Sequence, residues 1–224
     1  ALPAKRPAGA KAVHAPRKCP SCGEKVEKEA DTPYIRCVNP ACPAQLKERL
    51  RWFCARNQMN VERLGEALID QLVDAGLLKT FADIYRLTKA QLIELDRMGD
   101  KSAQNVVDSI DASRERGLDR LLAGLGIRHV GGRVGYVLAS HFGSLDAIEK
   151  ASIEQLSTVH EIGDVIAQSV HEFFHSHAGR ATIDDLKSVG IDPKMEKPTA
   201  SEQPLQGQSI VVTGTLEKFD REQM

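Results

Sequence analysis

Aromatic residues are scarce, at 4% of 224 positions, so the core has to be aliphatic. No run of 18 or more apolar residues occurs, and no transmembrane helix is expected. The opening stretch ALPAKRPAGAKAVHAPRK has basic residues but no apolar segment behind them, which excludes a signal-peptide reading. An initiator Met is missing, which fits a start inside a larger protein. Proline disappears between Pro43 and Pro193, so nothing there interrupts a series of helices. Net charge is also nearly absent, at −1, but the balance is uneven. Residues 1–58 hold 12 Lys and Arg against 5 Asp and Glu; residues 59–200 hold 16 against 22. The basic excess lies in the first quarter, where it suits a polyanion or a plain solvated face. The rest of the composition, 42% hydrophobic and 27% charged, is ordinary for one or two globular domains.

Cysteine is sparse too, and four of the five are patterned. Cys19 and Cys22 form C-x2-C, Cys37 and Cys42 form C-x4-C, and fourteen residues separate the pairs. That spacing suits four thiolates around one tetrahedral zinc ion. Gly23 lets the first knuckle turn tightly. Pro20, Pro33, Pro40 and Pro43 make the stretch loop-rich and too poor in core residues to fold unaided, so metal binding would supply stability. Two disulfides are the competing use of these cysteines, but they belong to an oxidising compartment and leave Cys54 over. Four thiolates leave no open coordination position, so the expected zinc is structural. Cys54, in LRWFCARN, reads as a buried helix residue.

From residue 59 onward apolar residues recur at three- and four-residue spacing, the period of helices. Gly65, Gly99, Gly131 and Gly163 lie 34, 32 and 32 residues apart. Each follows an apolar residue (Leu64, Met98, Val130, Ile162) and precedes a helical pattern with small or apolar residues at set offsets, among them Ala67, Ala103, Val134, Val137 and Ala167. The expectation is a helix, a short turn and a second helix, four times over. Glycine as a mere helix cap accounts for one such corner. Four at constant period point further, to an anion site or to a solenoid scaffold for proteins. A turn feeding a helix start presents unpaired N–H groups outward, backed by the helix dipole. Such a site reads phosphate and no base. In LDRMGDKSAQNVV, a nucleotide phosphate loop would need G-x-x-x-x-G-K-[ST], and only one glycine is present.

These corners resemble the helix-hairpin-helix family of DNA-binding motifs, which reads apolar-x-Gly-apolar-Gly-x-x-x-Ala. The chain keeps the second glycine in all four units. At the first-glycine position it has Arg63, Arg97, His129 and Glu161. The resemblance implies DNA contacts from Gly65, Gly99, Gly131 and Gly163, with Arg97, Lys101, Arg128 and Arg133 as cations and Ser102 as a hydroxyl donor. The fourth corner, HEIGDV, carries Glu161 and Asp164, which oppose phosphate.

A four-cysteine finger directly ahead of four such hairpins is similar to the C-terminal half of the bacterial NAD-dependent DNA ligases. The strings CPSCG (19–23), CVNPACPAQ (37–45), MGDKSAQN (98–105) and LGIRHVG (125–131) carry that resemblance. It implies a mainly α fold: the end of an oligonucleotide-binding domain and linker at 1–17, a four-cysteine zinc finger and following helix at 18–58, a helix-hairpin-helix domain at 59–190, a linker at 191–206, and the truncated start of a BRCT domain, with a short β segment, at 207–224. The family joins nicked duplex DNA in replication and repair, using NAD and Mg2+. Its adenylated lysine lies in a K-x-D-G motif, which this chain lacks. The resemblance therefore implies a DNA-clamping part with a structural Zn2+, inactive alone. It would be a monomer, cytoplasmic and nucleoid-associated, working with the adenylation and oligonucleotide-binding domains of the same protein and with no membrane. Two other classes compete. A recombination mediator or zinc/hairpin scaffold would carry a nucleotide-binding domain, and none is visible. A nuclease subunit would need clustered carboxylates for Mg2+.

Overall fold

A computed structural model describes residues 14–28, 32–39 and 41–196. Most of the stretch expected to close an oligonucleotide-binding domain, most of the linker and the whole BRCT-like tail lie outside the described residues. Among the described residues there are ten α-helices, a 3-10 helix and two short strands. Strands β1 (Val26–Lys28) and β2 (Ile35–Cys37) pair antiparallel, with Val26 opposite Cys37. Helix α1 (Pro43–Cys54) starts with Pro43 in its first turn, where the missing N–H costs nothing.

The helical part runs as α2 (Glu66–Asp74), the 3-10 helix Ala82–Arg86, α3 (Lys89–Ile93), α4 (Asp100–Ser113), α5 (Leu118–Gly124) and α6 (Gly132–Phe142). It continues as α7 (Leu145–Lys150), α8 (Ile153–Ser157), α9 (Asp164–His175) and α10 (His177–Ser188). The pairs α3–α4, α5–α6 and α8–α9 are the second, third and fourth repeats. The first differs: an eleven-residue connection, 55–65, separates α1 from α2. That loop is held down by Met59 and Val61, both buried, and by backbone bonds from their N–H groups to Phe53 and Cys54.

One aliphatic core joins these helices, with Leu50, Leu72, Leu92, Leu118, Leu121, Leu138, Leu156 and Leu186 fully buried in it. Several of the few aromatics gather at the end of α1. Phe53 stacks on Phe81 with centroids 4.6 Å apart, and Tyr85 meets its edge. Trp52, half-exposed, donates from Nε1 to the carbonyl of Ala123 at 2.8 Å, which pins α1 to α5. At the far end the Arg86–Asp185 (2.6 Å) and Lys187–Asp146 pairs attach α10 to earlier helices.

Helices α5 and α6 approach closely, and Gly135 permits it. A Cβ there would lie 2.7 Å from the Asp119 carbonyl oxygen and 3.3 Å from the Ala123 nitrogen, both backbone atoms that cannot step aside. Gly135→Ala is expected to destabilise the fold by about 1–3 kcal/mol, the usual cost of overpacking. That corresponds to a melting-temperature drop of roughly 2–4 °C per kcal/mol. An unchanged melting temperature would show that α5 and α6 are not held this tightly.

Candidate metal centre and nucleic-acid interface

The first knuckle closes because Gly23 adopts φ +75° and its N–H bonds the Cys19 carbonyl at 2.9 Å. The second closes through Asn39, which accepts from the Cys42 and Ala41 N–H groups at 3.1 and 2.9 Å. Gln45, on α1, donates to the Cys37 carbonyl at 2.8 Å and ties that knuckle to the helix. The four Sγ atoms end up within 4.8 Å of one another. Cys19 and Cys42 are 3.8 Å apart; Cys22 and Cys37 are 3.5 Å apart. A tetrahedron with Zn–S bonds of about 2.3 Å has edges of about 3.8 Å, so the donor set fits zinc. The backbone N–H groups of Gln45 and Ala44, opening α1, lower the Cys42 thiol to about 6, whereas at Cys37 the Asn39 N–H is outweighed by burial and the Cys22 and Cys19 thiols, which raise it to about 12. Cys54 lies outside the cluster: it is buried at the end of α1, and burial pushes its thiol up to about 12. The β1–β2 hairpin that presents Cys37 was not legible in the sequence, because VEK and IRC have neither length nor alternation enough to signal strands.

The four hairpins share one turn. The N–H of Leu64, Met98, Val130 and Ile162 bonds back to the carbonyl of Val61, Leu95, Ile127 and Val159 respectively. The third residue of each turn is left-handed: Arg63 at φ 66°, Arg97 at 60°, His129 at 66° and Glu161 at 71°. These are the four residues that stand where the family pattern has its first glycine. The turn is thus kept without glycine, at a strain of about 1–2 kcal/mol each. Apolar ends hold it in place: Val61, Leu64, Ile127, Val130, Val159 and Ile162 are buried, and Leu95 and Met98 are partly so.

Each turn delivers a glycine that heads a helix: Gly65 before α2, Gly99 before α4, Gly131 before α6 and Gly163 before α9. Each glycine carbonyl accepts the first helical bond, from Ile69, Ala103, Gly135 and Ala167, all buried. Ala67, by contrast, is exposed. None of these four glycines is required by the chain itself. Their φ values lie between −81° and −103°, and a Cβ would meet nothing within 4 Å. No side chain caps the four helices. Helices α3, α7, α8 and α10 do receive side-chain caps, from Thr88, Ser144, Ser152 and Ser176. The hairpin helices therefore keep bare amides facing open space, where an outside acceptor can approach the backbone.

The cations named from sequence are distributed unevenly. Arg97, Lys101 and Ser102 are all exposed around the second hairpin, and Arg128 is exposed in the third turn. Lys89, which sequence reasoning missed, pairs with Asp100 at 2.8 Å and neutralises the acid beside that helix start. Arg133 is engaged: its Nε donates to Glu161 Oε2 at 2.9 Å and its Nη2 to Oε1. The Arg133 guanidinium holds the Glu161 carboxyl below the usual carboxylate range. The fork reaches across from the third hairpin to the fourth.

Residues 18–44 match the family described as NAD-dependent DNA ligase C4 zinc finger domain. Residues 59–112 match the SAM-like helix-hairpin-helix tandem, and residues 120–183 match the helix-hairpin-helix motif. A finger of this type followed by tandem hairpins defines a DNA-binding protein. Over 220 residues the chain is 44% identical to a DNA ligase of Koribacter versatilis, covering 97% of this chain and 32% of that one. The DNA ligase of Desulfosudis oleivorans is 45% identical over 212 residues, covering 93% and 31%, and that of Bacillus subtilis 42% identical over 211, covering 92% and 32%. The chain belongs to the NAD-dependent DNA ligases and corresponds to their C-terminal part, spanning about a third of the length of these relatives.

Two expectations follow from this geometry. The protein should carry one zinc per chain by metal analysis, and Cys22→Ser should lose it together with the fold of residues 18–42; full zinc retention would remove Cys22 from the ligand set. His129→Gly should leave stability unchanged or raise it by up to about 1 kcal/mol, because strain relief outweighs the entropy glycine adds to the unfolded chain. A clear fall in melting temperature would show that the left-handed turn is not strained.

Proposed function

We propose that this chain is the part of an NAD-dependent DNA ligase that clamps nicked duplex DNA, holding 5′-phosphate and 3′-hydroxyl for joining by domains outside it. The observation that carries the reading is the set of four helix starts with bare amides behind glycines that nothing in the chain requires. Such sites accept phosphate oxygens on any sequence, as a nick-sealing enzyme needs. Gly65, Gly99, Gly131 and Gly163 let the strand come close; Arg97, Lys101, Arg128 and Ser102 add charge and a hydroxyl beside it. Arg133 joins them when it leaves Glu161, which makes the fourth hairpin the weakest contact. Zinc on Cys19, Cys22, Cys37 and Cys42 is structural and fixes the finger against α1. NAD and Mg2+ act in the adenylation domain, and the oligonucleotide-binding domain precedes the finger. Among the described residues the one group of three or more metal-capable side chains is the four cysteines, so a Mg2+-dependent nuclease gains no support.

Asp is a good helix cap, so Gly99→Asp and Gly131→Asp should leave zinc content and melting temperature intact or raised. The same carboxylates occupy the amides and repel phosphate. Affinity for nicked duplex should fall at least roughly tenfold, the scale of one charge-assisted hydrogen bond. Mixing the chain with a separately made adenylation and oligonucleotide-binding half should restore nick sealing in NAD. Wild-type affinity in both variants, or tight single-strand binding with no preference for nicked duplex, would reject the reading.

A further inference from the structure

Beside the first hairpin lies an open cleft of about 1320 Å3 lined by Arg56, Asn57, Asn60, Glu62, Arg63, Arg116 and Arg120. One wall is the 55–65 connection and the other is the turn from α4 into α5. Both walls are braced. Asn60 and Arg63 are left-handed, at φ 49° and 66°. The Asn60 N–H bonds the Ala55 carbonyl at 3.0 Å and the Arg116 N–H bonds the Ser113 carbonyl at 3.1 Å. Arg120 crosses between the walls, its Nη1 reaching the Arg56 carbonyl at 3.5 Å.

Four arginines elsewhere in this chain are paired with carboxylates, though Arg97 and Arg180 are not, among the described residues. Arg51 meets Glu48, Glu66 and Asp70; Arg86 meets Asp83 and Asp185; Arg114 meets Asp111; Arg133 meets Glu161. In the cleft, Arg56, Arg63 and Arg116 have no carboxylate partner among the described residues, and Arg120 has only Asp119 at 4.0 Å. Glu62 is the single acid in the lining. Gathering unpaired like charges costs energy unless an anion completes the group. Guanidinium forks suit phosphate oxygens, and the lining has no aromatic or aliphatic side chain on which a base could stack. An open cleft that offers charge and no base platform fits a polymer backbone better than a nucleotide.

We propose that the cleft of Arg56, Arg63, Arg116 and Arg120 is a separate binding site for the phosphodiester backbone of duplex DNA, distinct from the amide sites at the hairpin glycines. It rests on the DNA-clamping reading and extends the DNA-binding surface from the first hairpin to the α4–α5 turn. None of these arginines except Arg63 lies in a hairpin turn, and Arg63 enters the cleft by its side chain.

The test is the salt dependence of nicked-duplex binding by the zinc-loaded chain, followed by fluorescence anisotropy. Each phosphate that is no longer neutralised lowers the slope of log affinity against log salt by about 0.9. The triple variant Arg56→Gln, Arg63→Gln, Arg116→Gln should lower it by roughly 2.7 with zinc content and melting temperature unchanged. A slope equal to wild type overturns the proposal. Gly131→Asp separates the two ideas: if it weakens binding while the triple variant keeps the wild-type slope, the cleft fails and the clamping reading stands. If the wild-type chain does not bind nicked duplex, both fail. A nucleotide is the other possible source of phosphate, so ADP is titrated in parallel. ADP that displaces duplex from wild type but not from the triple variant would make the cleft a nucleotide site and overturn the backbone assignment.

Discussion

A helix that begins at a glycine, with no side chain to accept from its first turn, leaves its N–H groups to whatever lies in front. Five of the described helices begin that way, and four of them, α2, α4, α6 and α9, follow the repeated turn that aims them. The preceding turn points each helix start outward because its ends are apolar and sunk in the core. Burial fixes the direction; the exposed middle of the turn is free to vary. Helices α3, α7, α8 and α10 satisfy the same amides with Ser or Thr, while α1 and α5 carry no side-chain cap. On the proposed reading, bare amides and a few local cations let a segment with more acids than bases serve as a DNA-binding region, and most acids there have surface partners of their own.

The left-handed turn residues show how strongly the turn is imposed. Non-glycine residues rarely take positive φ, Arg and Glu less readily than His, yet all four adopt it, between 60° and 71°. The buried residue on either side leaves the chain one way to reverse. A side chain at this position brings something glycine cannot: Arg63 contributes charge to the arginine cleft, Arg97 stands beside the second helix start, and Glu161 grips Arg133. Strain of this kind persists where surrounding packing over-determines it, and here that packing is the repeat itself.

Much of this was legible in the sequence because it is written in spacing. Cysteine intervals and a glycine period near 32 survive without any knowledge of packing. Positions 63, 97, 129 and 161 were legible as departures from the family pattern; that they keep its backbone was not, since propensity argues against it. The β1–β2 hairpin escaped because two three-residue strands between the cysteine knuckles are too short to carry an alternation. Ion pairs escaped for another reason. Arg133 lies 28 residues from Glu161, Arg86 lies 99 from Asp185, and Arg116 lies 60 from Arg56 in the cleft, so only the folded chain tells an occupied arginine from an available one.

The Arg133–Glu161 pair makes the third and fourth hairpins unequal partners. While it holds, the fork of Arg133 is saturated by a carboxylate in bidentate geometry, the same geometry a phosphate would use. Both groups are near the surface, so the pair is screened and worth little, roughly 0–1 kcal/mol. On the proposed reading, a DNA phosphate at Gly131, with the amides of α6 behind it, would offer Arg133 a second acceptor of similar shape and greater charge. The exchange costs little and leaves Glu161 to solvent. Glu161 therefore satisfies the arginine in the free protein without closing the third hairpin, and its carboxylate disfavours phosphate at the fourth. On that reading the same residue keeps the third hairpin ready and holds the fourth in reserve.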